Sequence, residues 1–112
     1  MAGCIFCGIV EGRIPSKKVF EDERVYAFED IAPKAPTHVL IVPKKHIAMF
    51  SDVSSEDEAL LGALAARAAA IAKERGLSDF RLVANNGEGA GQSVFHLHFH
   101  LLGGRSLSWP PG

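Results

Sequence analysis

Residues 96–102 read His96-Leu97-His98-Phe99-His100-Leu101-Leu102, an imidazole at every second position with apolar side chains between. Successive side chains of a β-strand point to opposite faces, so this pattern puts three rings on one side, neighbours about 6.8 Å apart, and Leu97, Phe99 and Leu101 on the other. The apolar row has to be buried, which makes the stretch one half-covered strand of a sheet and gives the rings a rigid support. Three imidazoles in register suit two chemistries. One is a nucleophile with supporting donors; the other is metal ligation, since neutral imidazole binds zinc and strand-borne histidine pairs hold catalytic metal.

The chain has 112 residues, which makes one domain over 1–112 with a modest core. A core of that size gains from a metal or from a second copy, and a homodimer is expected. A formal charge of −1 leaves no broad basic field, so neither nucleic acid nor an anionic membrane surface is an expected partner. A small phosphate-bearing ligand needs only local donors. No apolar run approaches the ~20 residues of a membrane span and the N-terminal residues lack the layout of a secretory signal, so a cytoplasmic location is expected. In that reducing setting Cys4 and Cys7 read as a metal-binding or redox-active pair.

Two strands, Val19–Glu21 and Arg24–Glu29, are joined at Asp22-Glu23, and a proline-broken connector over 30–36 leads to a third strand, His38–Pro43. Ser54–Glu58 opens a helix, with Ser55 and Glu58 as a capping box, that runs to about Arg75. Leu60, Leu61, Leu64, Ala65, Ala68, Ile71 and Ala72 form its buried stripe, and Gly76 suits a left-handed stop. Phe80–Asn85 and Phe95–Leu102 are the fourth and fifth strands. The loop between them, 86–93, is glycine-rich and able to turn backbone amides toward an anion. One helix with hairpin-linked strands defines an α+β domain built on a five-stranded meandering antiparallel sheet.

The alternating His–apolar motif resembles the signature of the histidine triad superfamily. Cys4-Ile5-Phe6-Cys7, Ile14-Pro15, Ala27-Phe28-Glu29-Asp30-Ile31, Pro36-Thr37-His38, Pro43-Lys44-Lys45-His46, Asn85, Gly91-Gln92-Ser93 and Trp109-Pro110-Pro111-Gly112 resemble its Hint branch, in order and over nearly the whole chain. The resemblance implies a purine nucleoside phosphoramidase, which cleaves the P–N bond between AMP and an amine such as a lysine side chain. It also implies a sheet continuous across a homodimer. His98 takes the role of nucleophile, its other ring nitrogen held by a backbone carbonyl, with His100 on the phosphoryl oxygens and Ser93 passing a proton to the leaving nitrogen. Asp30 takes the ribose hydroxyls. Asn85, Gly91, Gln92, Ser93 and His38 lie near ribose or phosphate, and Ile5, Phe6, Ile9, Phe28 and Ile31 offer an apolar slot for the purine. No cofactor is required for catalysis.

Some bacterial members that the chain resembles carry a structural zinc, for which Cys4, Cys7, His46 and His96 supply two thiolates and two imidazoles. That assignment moves His96 to support and leaves catalysis to His98 and His100. The resemblance leaves two other functions open. A Fhit-type dinucleoside polyphosphate hydrolase uses the same chemistry on a P–O bond, and a nucleotide-binding adaptor keeps the rings for recognition alone.

Overall fold

The computed structural model describes residues 3–112. Five antiparallel strands, Lys18–Glu21 (β1), Val25–Glu29 (β2), Thr37–Pro43 (β3), Phe80–Ala84 (β4) and Phe99–Gly103 (β5), form one sheet in the order β1-β2-β3-β5-β4. The α+β class follows the sequence reading, with the meander confined to the first three strands. After β3 the chain crosses the sheet through the long helix Glu58–Glu74 (α2), lays β4 at the far edge and returns β5 between β3 and β4. Asp22 closes the first hairpin by accepting the N–H groups of Arg24 and Val25, each at 2.8 Å.

All seven residues of β3 are buried because both faces of the sheet are covered there. On one face Val25, Ala27, Val39, Ile41 and Leu101 pack against Leu64, Ala68, Ile71 and Ala72 of α2. Burial of each larger side chain contributes about 2 kcal/mol. On the opposite face Tyr26, Phe28, Leu40 and Val42 meet Phe6 and Ile9 of a short helix, Ile5–Val10 (α1).

Helix α1 carries no conventional capping residue, and the residue pattern of 5–10 gives no helix signal. Its N-cap is Cys4, whose sulfur accepts the Cys7 N–H at 3.3 Å. At the start of α2 the capping pair falls one residue ahead of the expected Ser55 and Glu58: Asp57 accepts the Ser54 N–H at 3.0 Å and is paired with Lys45 at 2.7 Å. Ala65, expected in the buried stripe, faces solvent. The C-terminus behaves as expected. Gly76, at φ 70°, places its N–H on Lys73 O and lets Leu77 N–H reach Ala72 O, the two bonds of a Schellman stop.

The largest departure is in the fifth strand, which begins at Phe99 rather than Phe95. The β3–β5 register pairs Ile41 with Phe99, so continuing it would set Leu97 opposite Pro43, which has no N–H to give. The ladder ends there. Leu97 N–H bonds to Ile47 O instead, and the His96 ring takes the Pro43 carbonyl at 2.8 Å. No helix among the described residues is long and apolar enough to cross a membrane.

Candidate active site and an adjacent thiol–imidazole cluster

The alternation survives the bend before β5. Leu97 and Leu101 are buried on the α2 side, while His96, His98 and His100 look to the side of α1. The edge of Phe6 stands 5.0 Å from the His98 ring, and the His98 and His100 rings are 4.9 Å apart. His98 Nδ1 lies 2.7 Å from the His96 carbonyl. A carbonyl only accepts, so in the neutral ring the proton is on Nδ1 and the lone pair on Nε2. That Nε2 has no hydrogen bond among the described residues, and no buried side-chain nitrogen or oxygen there lacks a partner, so Nε2 is open to solvent.

A second chain of bonds fixes the neighbouring rings. Lys34 N–H donates to His38 Nδ1 at 3.0 Å, which leaves the His38 proton on Nε2, 2.9 Å from His100 Nδ1. His100 therefore accepts at Nδ1 and carries its proton on Nε2. The pair of rings presents a bare nitrogen at His98 and an N–H donor at His100. Asp30 reaches His38 Nε2 at 3.4 Å, and its other oxygen accepts the Ala32 N–H at 2.7 Å. Burial holds His98 and His38 below the usual imidazole range, and burial together with the two neighbouring rings brings His100 down to about 4. All three are uncharged at neutral pH.

Behind these rings the ligating atoms of Cys4, Cys7, His46 and His96 lie within 4.8 Å of one another. His96 Nδ1 is 3.4 Å from Cys4 Sγ and 3.5 Å from Cys7 Sγ, and His46 Nδ1 is 3.3 Å from Cys7 Sγ. Tetrahedral zinc, with bonds of about 2.3 Å to sulfur and about 2.0 Å to nitrogen, separates S from N by about 3.5 Å, so the donor set fits that ion. The Pro43 carbonyl on His96 Nε2 is the kind of outer partner that fixes a ligating imidazole.

The other expected site residues fall into three groups. Asp30, His38, Asn85 and His100 line one cavity of about 350 Å³. Asp30 and His38 also border a second, of about 710 Å³, whose wall includes the exposed Ile31. Phe6, Ile9 and Phe28 are instead packed into the α1-side core, with Phe6 edge-on to Phe28 at 5.4 Å, and Ile5 is exposed. Gln92 is buried and its amide is committed to backbone: Oε1 accepts Gly87 N–H at 2.8 Å, and Nε2 donates to Ala48 O at 2.8 Å and Val94 O at 3.0 Å. Its side chain sets the glycine-rich loop. Gly91, at φ 98°, approaches Asn85 closely enough that an added Cβ would meet the Asn85 amide at 3.8 Å. Ser93 is exposed and borders a pocket shared with Cys4 and His46. Lys34 and Arg81, which sequence reasoning did not single out, line the 350 Å³ cavity.

A strand bearing paired imidazoles and a supporting histidine from the neighbouring strand define a histidine-based site on an α+β domain, and comparison with known proteins gives its family. The HIT domain model matches residues 11–107, and the chain belongs to that family. An uncharacterized HIT-like protein of Synechocystis sp. is 51% identical over 109 residues, 96% of either chain. The crystal structure of a HIT family hydrolase from Legionella pneumophila is 53% identical, with a TM-score of 0.96 over 98% of this chain and 100% of that one. A histidine triad protein from Clostridium difficile is 44% identical, with a TM-score of 0.93 over 96% of each chain.

Proposed function

We propose that the protein is a hydrolase of the Hint type, cleaving purine nucleoside 5′-phosphoramidates to AMP and an amine through a nucleotidyl-histidine. One observation carries this reading: His98 Nδ1 is tied to the His96 carbonyl at 2.7 Å, which leaves Nε2 bare, uncharged and accessible beside the His100 donor. A neutral imidazole so held is a ready nucleophile without a stronger base. The His98 Nε2–P bond forms as the P–N bond breaks. The departing nitrogen takes a proton through the Ser93 hydroxyl, which solvent replenishes. Water then attacks phosphorus, breaking the P–Nε2 bond and releasing AMP. His100 Nε2–H and the amides around Gly91 meet the phosphoryl oxygens, where fixed dipoles do most of the work.

In this reading the purine enters the 710 Å³ cavity beside Ile31, with Asp30 at the ribose hydroxyls and Asn85 toward the phosphate. Phe6, Ile9 and Phe28 back that region as core. Zinc on Cys4, Cys7, His46 and His96 supplies cross-linking of α1 to the sheet and no reactive group. A second copy adds at β4, an unpaired edge that carries the exposed Phe80. A reducing cytoplasm suits two cysteines that form no disulfide.

The test is to quench turnover of adenosine 5′-phosphoramidate and weigh the protein. The wild type gains one AMP on His98 and His98→Ala gains none. Absence of any adduct together with full turnover by His98→Ala overturns the reading. Faster cleavage of a diadenosine polyphosphate than of the phosphoramidate selects the Fhit-type hydrolase, and no turnover of either selects the adaptor.

A further inference from the structure

We infer that the cavity beside His100 is a leaving-group subsite for an amine that bears a carboxylate, recognised by Arg81 and Lys34. The inference rests on the phosphoramidase reading and names the substrate class within it. The cavity, of about 350 Å³, runs from His100 and Asn85 over the apolar side chains of Val83 and Leu102 to Arg81 and Lys34. The strand register fixes its length: Val83 lies opposite His100 and Arg81 opposite Leu102, so Arg81 is one strand repeat, about 6.8 Å, beyond the ring that meets the phosphoryl group. That is a distance for a group a few bonds past the scissile nitrogen, not for the phosphoryl oxygens themselves.

The charges in the cavity do not cancel. Among the described residues neither Arg81 nor Lys34 has a carboxylate within ion-pair distance. Each spends one donor on backbone, Arg81 on Ser108 O at 2.8 Å and Lys34 Nζ on Ala32 O at 2.9 Å. Four guanidinium and two ammonium N–H groups stay free for a ligand. The single carboxylate side chain on the cavity wall, Asp30, is turned to the Ala32 N–H and His38. His38 and His100 are held neutral, so they bring no compensating or competing charge. A carboxylate at this end meets two cations and a fork suited to its geometry, a neutral amine leaves them unused, and an ammonium meets like charge.

The test uses the full-length protein and three adenosine 5′-phosphoramidates, of β-alanine, of β-alaninamide and of 1,2-diaminoethane. kcat/KM should favour the carboxylate over its neutral amide by on the order of tenfold to hundredfold, and the cationic amine should be poorest. Because the leaving nitrogens differ in basicity, the decisive quantity is the change in the carboxylate-to-amide ratio. It should fall at least tenfold in Arg81→Gln, fall further with Lys34→Gln added, and recover partly in Arg81→Lys. A ratio that Arg81→Gln leaves unmoved, or an equal loss on all three substrates, overturns the subsite and makes Arg81 a phosphate or structural contact. No turnover of any of the three, with no adduct on His98, overturns the phosphoramidase reading and this inference with it.

Discussion

His98 Nδ1 rests on the backbone carbonyl of His96 at 2.7 Å, while the His96 ring itself faces Cys4 and Cys7. One residue therefore serves two sites through two different groups. Its carbonyl sets the tautomer of His98, the proposed nucleophile, and its side chain belongs to the thiol–imidazole cluster. Removal of the side chain leaves the carbonyl in place, so the two functions are separable by mutation.

The separation predicts that His96→Ala, which empties a fully buried position, lowers stability by about 2–4 kcal/mol yet still forms the AMP adduct at a reduced rate. His98→Ala retains most of the stability and forms no adduct. Urea unfolding and intact-protein mass spectrometry on the same samples check both. Equal loss of adduct in the two variants contradicts the division of labour.

Gln92 separates loop construction from substrate contact. Its buried amide makes three backbone hydrogen bonds, so Gln92→Leu strands one N–H and two carbonyls and should cost about 2–4 kcal/mol. Ser93→Ala, next in sequence but exposed, should stay within ~0.5 kcal/mol while slowing P–N cleavage. Equilibrium unfolding of both variants, with kcat for the phosphoramidate, distinguishes the roles. A Gln92→Leu protein as stable as the wild type overturns the clamp.

Much of this arrangement was legible because it depends on local periodicity. The period of two at 96–102 assigned Leu97 and Leu101 to the core and the rings to the other face, and Gly76 marked the end of α2 through its need for positive φ. What could not be read depends on partners distant in sequence. The loss of strand pairing over residues 95–98 follows from Pro43 arriving opposite Leu97, a matter of register across 54 residues. Helix α1 exists because Phe6 and Ile9 find Tyr26, Phe28 and Leu40 beneath them, and its sulfur cap has no compositional signal. The same holds for Phe6 and Phe28, since a pocket wall and a core layer have the same residue types. Arg81 carries no motif, and only its register opposite Leu102 brings it to the cavity of His100.

The thiol–imidazole cluster predicts one tightly held zinc per chain. Burial, together with Cys4, raises the Cys7 pKa, so binding must release thiol protons and weaken as pH falls. Cobalt substitution should give the thiolate-to-metal absorption of a tetrahedral sulfur–nitrogen site, and Cys4→Ser with Cys7→Ser should abolish it. Stripping the metal with a chelator should lower Tm by several degrees, because α1 is then tied to the sheet by apolar packing alone, chiefly that of Phe6 and Ile9. A Tm and an absorption spectrum indifferent to cobalt rule the site out.

His100 predicts the acid limb of stability. Its folded pKa, about 4, lies below the ordinary imidazole value of 6.5, so between these pH values the unfolded chain binds the proton and the folded chain does not. Stability therefore rises with pH across that window: it is fully present above about 6.5 and declines as pH falls toward 4, where the folded ring also protonates and breaks its bond to His38. After allowance for partial exposure the effect is on the order of 2 kcal/mol. His38, also held down by burial, acts in the same sense. Urea midpoints at pH 7, 5.5 and 4 should fall steadily in the wild type and less steeply in His100→Asn, whose side chain cannot titrate. Parallel slopes for the two proteins would mean that the ring titrates normally, and His100 would then be a cationic rather than a neutral donor at mildly acidic pH.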